Sequence, residues 1–409
     1  MKKTVLREYA RLIARVGANV QKGQHVIIYA GLDQPEFVEL LVDECYKAKA
    51  GEVTVEWSYQ PLAKLHYRHM SLKNLGSVKD WQLARLQHYC DTIPARIHLT
   101  SADPDGLKGI NMGKMAKARQ MSYPITKPYS EQMDGKQQWC IAAVPGKAWA
   151  KKVFPGERTS VAVEKLWQAI LSTSRVAEGK DAIEAWNEHN ADMKARCDYL
   201  NALGIEKLHY TADNGTNLTV GMISEAIFCG GGETTKSGVF FNPNIPTEEC
   251  FTSPKRGEAE GIVHSTKPLS YQGQLIDKFW MRFENGKAVE AHAEIGDEVL
   301  QTMLNMDEGA RYLGEVAIVP QSSPINQSGL LFFNTLYDEN AVCHLAVGMG
   351  FMDCLTDYHN RSNEECRALG VNDSMIHTDF MIGCDTMNID AICENGETVR
   401  IFENGQWTF

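Results

Sequence analysis

A chain of 409 residues is long enough for more than one domain and for a large core. Hydrophobic residues make up 44% of it and charged residues 23%, the balance of a globular protein, which excludes fibrous and disordered classes. The formal net charge of −11 argues against nucleic acid or an anionic membrane as a partner. No basic run interleaved with aromatics occurs, and the start, Met1 to Glu8, is charged on both sides of a short apolar pair, so it reads as neither signal peptide nor anchor. The 11 cysteines are scattered from Cys45 to Cys393 without a Cys-x-x-Cys pair, a pattern of free thiols in a reducing cytoplasm.

In chain order, His25 to Tyr29 is an apolar run suited to a buried strand. Asp33 and Glu36 read as a capping box that opens a helix along Phe37, Leu40, Leu41 and Cys45. Gly51 is expected to end that helix, and Val53 to Trp57 resumes a strand. This strand-helix-strand unit predicts a parallel sheet with helices on its faces. Further strands are expected at Ala95 to Leu99 and Cys140 to Val144, and no Gly-x-Gly-x-x-Gly or Gly-Lys-Ser/Thr loop supports nucleotide binding.

From Thr159 to Leu203 the pattern is helical, with Val163, Leu166, Trp167, Ile170 and Leu171 on one stripe and Ile183, Trp186 and Tyr199 on another. Gly204 stops the second helix. Beyond it the chain is rich in strands and turns, including Asn-Gly turns at Asn285, Asn395 and Asn404, interrupted by a helix from Asp297 to Leu304. The expected architecture is therefore an N-terminal α/β domain with a mainly parallel sheet over residues 1–203, followed by a β-rich α+β domain over residues 204–409.

Five side chains of the second domain conflict with their apolar surroundings. His377 and Asp379 stand two apart in the run Met375 to Gly383, so on a strand they share a face. Glu249 lies in a segment bracketed by Pro246 and Pro254, Glu315 opens an otherwise apolar run, and His344 sits within another. Singly, each has a structural reading: a hydrogen-bonded His-Asp pair, a core histidine, a carboxylate reaching solvent from a strand end. Taken together, three carboxylates and two imidazoles are a mixed N/O set suited to a pair of Zn, Co or Mn ions. Cys250, beside Glu248 and Glu249, reads as a small buried residue rather than a nucleophile.

The segments Thr247 to Pro254, Lys267 to Tyr271, Asp307 to Ala317, Ser323 to Gly329, Asn334 to Asn340 and His377 to Gly383 together resemble the motifs of the M29 aminopeptidases, the aminopeptidase T and S family. The resemblance is dense from about Thr211 onward and looser before it, where Val20 to Val26 fits the family's N-terminal domain. It implies that residues 204–409 form the catalytic domain, with Glu249, Glu315, His344, His377 and Asp379 as ligands of two divalent ions. Glu248 is the implied general base, provided the backbone after Pro246 departs from strand geometry, because on a regular strand Glu248 and Glu249 face opposite sides. The implied reaction is hydrolysis of the N-terminal residue from short peptides with a free N-terminus, by a cytoplasmic homodimer. One position departs from the family: seven residues after His344, where a tyrosine is usual, this chain has Phe351, which carries no hydroxyl. Tyr358 is the replacement donor that the sequence offers. Two other readings stand beside the first: a different dinuclear metallohydrolase, such as a phosphoesterase, and a catalytically weak peptide-binding relative that retains metal.

Overall fold

The computed structural model describes residues 1–409. They form two compact units, one of Met1–Ala191 with Gly231–Thr247, the other of Asp192–Gly230 with Glu248–Phe409. No helix is long and apolar enough to cross a membrane.

The first unit is built on a five-stranded sheet in which every pairing is parallel. Strands β1 (His25–Gly31), β2 (Glu52–Ser58), β3 (Ala95–Thr100) and β4 (Trp139–Ala143) lie in the order β4-β3-β1-β2, and Asn244–Ile245 adds a short edge beside β4. Val26, Ile27 and Ile28 are fully buried, as a strand covered on both faces requires. Helix α1 (Pro35–Lys47) connects β1 to β2, giving the expected strand-helix-strand unit. Its start differs from the expected capping box. Gln34 is the N-cap, without a side-chain bond, and Pro35 opens the first turn with its preset φ. Asp33 instead accepts a hydrogen bond from Ser101 Oγ at 3.2 Å, just beyond β3. Nor does Gly51 end the helix: Lys49, at φ +75°, makes the left-handed exit. Gly51 is needed for close approach, since a Cβ there would lie 2.5 Å from the Gly23 carbonyl oxygen.

Helices α2 (Thr159–Thr173) and α3 (Ala182–Ala202) cover the expected helical stretch, and the boundary between the units falls within α3. Leu166, Trp167, Ile170 and Leu171 form the buried stripe of α2. On α3 the buried positions include Trp186, Met193, Cys197 and Leu200. Tyr199 departs from its expected place on that stripe: it is 38% exposed and stacks on Phe409, because it projects a third of a turn away from Leu200. Gly204, at φ +62°, terminates α3 as its position predicts.

The second unit contains two antiparallel sheets. The larger runs through Ile205–Thr211, Asn217–Met222, Pro254–His264 and Gln274–Glu284 on one side and Asn388–Cys393 and Thr398–Glu403 on the other. Asn285 and Gly286 both have positive φ, as do Asn404 and Gly405, which is the type I′ geometry whose twist matches a hairpin. The smaller sheet has five strands: β5 (Cys229–Gly230), β6 (Cys250–Thr252), β7 (Leu313–Ile318), β8 (His344–Gly348) and β9 (His377–Met381), in the order β9-β8-β7-β6-β5. All of β7 and β8 is buried, which leaves their polar side chains without water.

A candidate metal centre

Register decides which side chains meet on the smaller sheet. Residues directly opposite in an antiparallel pair share a face. Ala346 pairs with Glu315 on one side and Asp379 on the other, Gly348 pairs with His377, and Ala317 pairs with both His344 and Phe251. One face of this sheet therefore carries Glu315, His344, His377 and Asp379, separated by Ala317, Ala346 and Gly348. These small residues leave the headroom over which the polar groups converge.

The polar atoms form two groups that share one residue, Glu249 with Glu315 and His344, and Glu315 with His377 and Asp379. His344 Nε2 lies 3.0 Å from Glu249 Oε2 and 3.9 Å from Glu315 Oε1. His377 Nε2 lies 3.0 Å from Glu315 Oε2 and 3.2 Å from Asp379 Oδ1. Glu315 thus presents one oxygen to each group. The second ring nitrogens are also engaged: His377 Nδ1–H donates to the Met349 carbonyl at 2.7 Å and His344 Nδ1–H to that of Val342 at 3.3 Å. Such bonds fix Nδ1 as the donor to the backbone and turn Nε2 toward the carboxylates, where it would be the nitrogen to bind a metal on losing its proton.

Electrostatics give the same direction. Burial pushes the Glu315 carboxyl up to about 7, opposed by the His377 contact and reinforced by the charges of Asp379 and Glu249. Burial alone would lower His344, but its contact with Glu249 and the surrounding carboxylates outweigh that and raise it to about 9. Asp379, despite burial, is held below the ordinary carboxylate range by His377. Unit charges about 4 Å apart interact by about 4 kcal/mol even at an effective dielectric near 20, so buried acids this close require positive charge among them. Protonated imidazoles supply some of it. Divalent cations fit the same space and the same N/O donors.

All five sequence-predicted donors come together here. Glu248, the predicted base, belongs to neither group. It is buried at 6% exposure, and Glu248 and Glu249 lie in irregular backbone before β6 rather than on a regular strand. Its N–H donates to Asn340 Oδ1 at 2.7 Å. Cys250 is fully buried, and contact with Cys197 together with burial holds its thiol far above the ordinary range, so it is no nucleophile. Tyr358 packs among Ile223, Leu355, Cys366 and Val371. The Phe351 ring itself lies 4.6 Å from that of His377.

One residue escaped the sequence reading. Glu339 ends the short helix α4 (Thr335–Glu339) and is buried. Burial and the charges of Asp379, Glu249 and Glu315 hold its carboxyl well above the ordinary range, and it hydrogen-bonds Asp379. The available signal was a pair of acids, Asp338-Glu339, inside the apolar stretch that leads into β8.

Comparison with known proteins gives this cluster its context. The family model for thermophilic metalloproteases (M29) matches residues 2–407. Aminopeptidase AmpS of Bacillus subtilis is 39% identical over 405 residues, covering 99% of this chain and 98% of that one. Aminopeptidase T of Thermus aquaticus is 38% identical over 403 residues, covering 98% of each. The solved structure of wild-type AmpT from Thermus thermophilus superposes with a TM-score of 0.88 at 36% identity, over 100% of both chains. With a matching sequence along its length, the same fold and a buried cluster of side chains able to hold a metal, the chain belongs to the M29 family of metalloproteases.

Proposed function

We infer that the chain is a metal-dependent aminopeptidase that removes the N-terminal residue from short peptides with a free N-terminus. The observation that carries this reading is the pair of donor groups sharing Glu315, a set of N and O donors that would suit two divalent ions, Zn, Co or Mn. Glu249 and His344 complete one set, and His377 and Asp379 the other. When bound, such ions supply a Lewis acid and water of lowered pKa.

The chain's own groups perform the remaining tasks. Glu248 takes a proton from the attacking water at a carboxylate oxygen and returns it to the leaving amine. Asn340 holds the backbone of Glu248 in place through its N–H. The substrate's free amine would bind one ion directly or pair with a carboxylate, which would confine cleavage to the chain end. The Val342 and Met349 carbonyls orient the two imidazoles. This chemistry resides in the second, β-rich unit, Asp192–Gly230 with Glu248–Phe409. The homodimer that the family resemblance implies is part of this reading. A reducing cytoplasm agrees with the cysteines from Cys45 to Cys393, all free thiols.

The absence of a hydroxyl at Phe351 favours one second reading, a metal-retaining peptide binder with weak turnover. Hydrolysis of a leucine anilide, measured after chelator stripping and again after adding Zn, Co or Mn, separates the two. Activity that vanishes and returns with metal, and is abolished by Glu249→Gln, supports the enzyme. Tight metal and peptide binding without turnover supports the binder.

A further inference from the structure

Beside the acid cluster stands an apolar wall that the reaction itself does not use. Phe251 lies two residues after Glu249 and opposite Ala317, on the face that carries the donors. Phe351, on the loop after β8, places its ring 4.6 Å from the His377 imidazole at a 46° tilt. The two phenyl rings meet edge to face, 5.5 Å apart at 73°. Both remain partly exposed, whereas Phe279, Phe283 and Phe380 of the same unit are buried to within 2%. Met349, on the same loop, is 37% exposed.

This wall is fixed to the cluster. The buried Ser253 hydroxyl accepts the Phe351 N–H at 2.6 Å and donates at 3.1 Å to the carbonyl of Gly314, the residue before Glu315 on β7. The Met349 carbonyl accepts the His377 Nδ1–H. Phe351 and Met349 are therefore tied to the residues that form the site, and partly exposed apolar surface held beside convergent polar groups is the make-up of a ligand pocket.

We propose that Phe251 and Phe351, with Met349 at the rim, receive the first side chain of the peptide, so that large apolar N-terminal residues such as leucine and phenylalanine are preferred. The proposal rests on the aminopeptidase reading. The rings offer no hydrogen-bonding group, so an acidic first side chain would lose hydration without a partner. A small one would leave the wall wet. Each methylene seated against such a wall is worth about 10-fold or more in kcat/KM.

The test compares leucyl, phenylalanyl, alanyl and glutamyl anilides on the metal-loaded enzyme. Wild type is expected to favour the first two over the others by at least about 10-fold. Phe351→Ala and Phe251→Ala should each reduce the leucine-to-alanine ratio about 10-fold, chiefly through KM, with metal content unchanged. Phe351→Trp, which narrows the pocket, should move preference toward alanine and provides a second measure if truncation impairs folding. Calorimetric binding of free L-leucine and L-alanine should show the same loss of discrimination in the alanine variants. A ratio that none of these changes alters, or leucyl and alanyl rates that fall together, overturns the proposal while leaving the aminopeptidase reading intact. Wild type that cleaves no anilide with any metal overturns both.

Discussion

The side-chain amide of Asn340 joins two parts of the site: its Oδ1 accepts the Glu248 N–H at 2.7 Å, and its Nδ2 donates to Glu339 Oε1 at 3.3 Å and to the Leu336 carbonyl at 3.0 Å. The backbone around Glu248 is irregular and has no strand ladder to satisfy it, so this fully buried amide takes over that task. Asn340→Ala leaves the Glu248 N–H buried without an acceptor. The expected loss is about 1–3 kcal/mol of stability together with a lowered kcat. Denaturant unfolding and leucine anilide turnover check it, and an unchanged midpoint would count against the linkage.

Glu339 faces three other acids of the cluster, so its charge is unfavourable until a cation arrives. Glu339→Gln removes that charge at constant shape. Metal affinity, read by calorimetry with Zn or Co, is expected to fall about 10-fold or more. Thermal stability of the chelator-treated protein should not fall. Unaltered affinity would remove Glu339 from the working site.

Phe351→Tyr adds a hydroxyl to a ring already packed against His377. A donor that meets a developing oxyanion is worth about 10²-fold or more in kcat. The expected result is a rise in kcat shared by all anilides, with their ranking preserved because the ring remains. A rate that stays the same would show that catalysis here has no use for a hydroxyl at this position.

His98, on β3, stacks on Tyr29 at 4.6 Å, and burial, with the nearby Arg96 charge, lowers its pKa to about 4. The unfolded chain takes up this proton near pH 6.5 and the folded chain only near pH 4. Between those values the unfolded state binds more protons, so stability is fully present above about 6.5 and is lost as pH falls, by about 3 kcal/mol in all. His98→Gln should lose less stability than wild type between pH 7.5 and 4.5, as measured by urea unfolding at each pH. Parallel losses in the two proteins would exclude His98 as the source.

Where sequence reading succeeded, the signal was local and physically forced. The run His25 to Tyr29 can only be a covered strand, Asn285-Gly286 fits a type I′ turn, and Gly204 accepts the left-handed exit from α3. The donors were visible one at a time because an acid or imidazole inside an apolar strand conflicts with burial. Glu339 was not visible in that way, since it ends a short helix, where an acid is unremarkable. Asp33 and Gly51 were misjudged because their partners, Ser101 and Gly23, are distant in sequence.

The sequence by itself determined the order of elements, the strands that carry the candidate donors and the family motifs, because periodicity and turn chemistry act over a few residues. Only the tertiary structure decided that Glu315 and Asp379 flank Ala346, that His377 stands beside Phe351, and that Asn340 holds Glu248. Those relationships follow from strand register between segments far apart in the chain. A shift of one residue would turn the strand-borne candidate donors to the opposite face, and no local pattern encodes that choice.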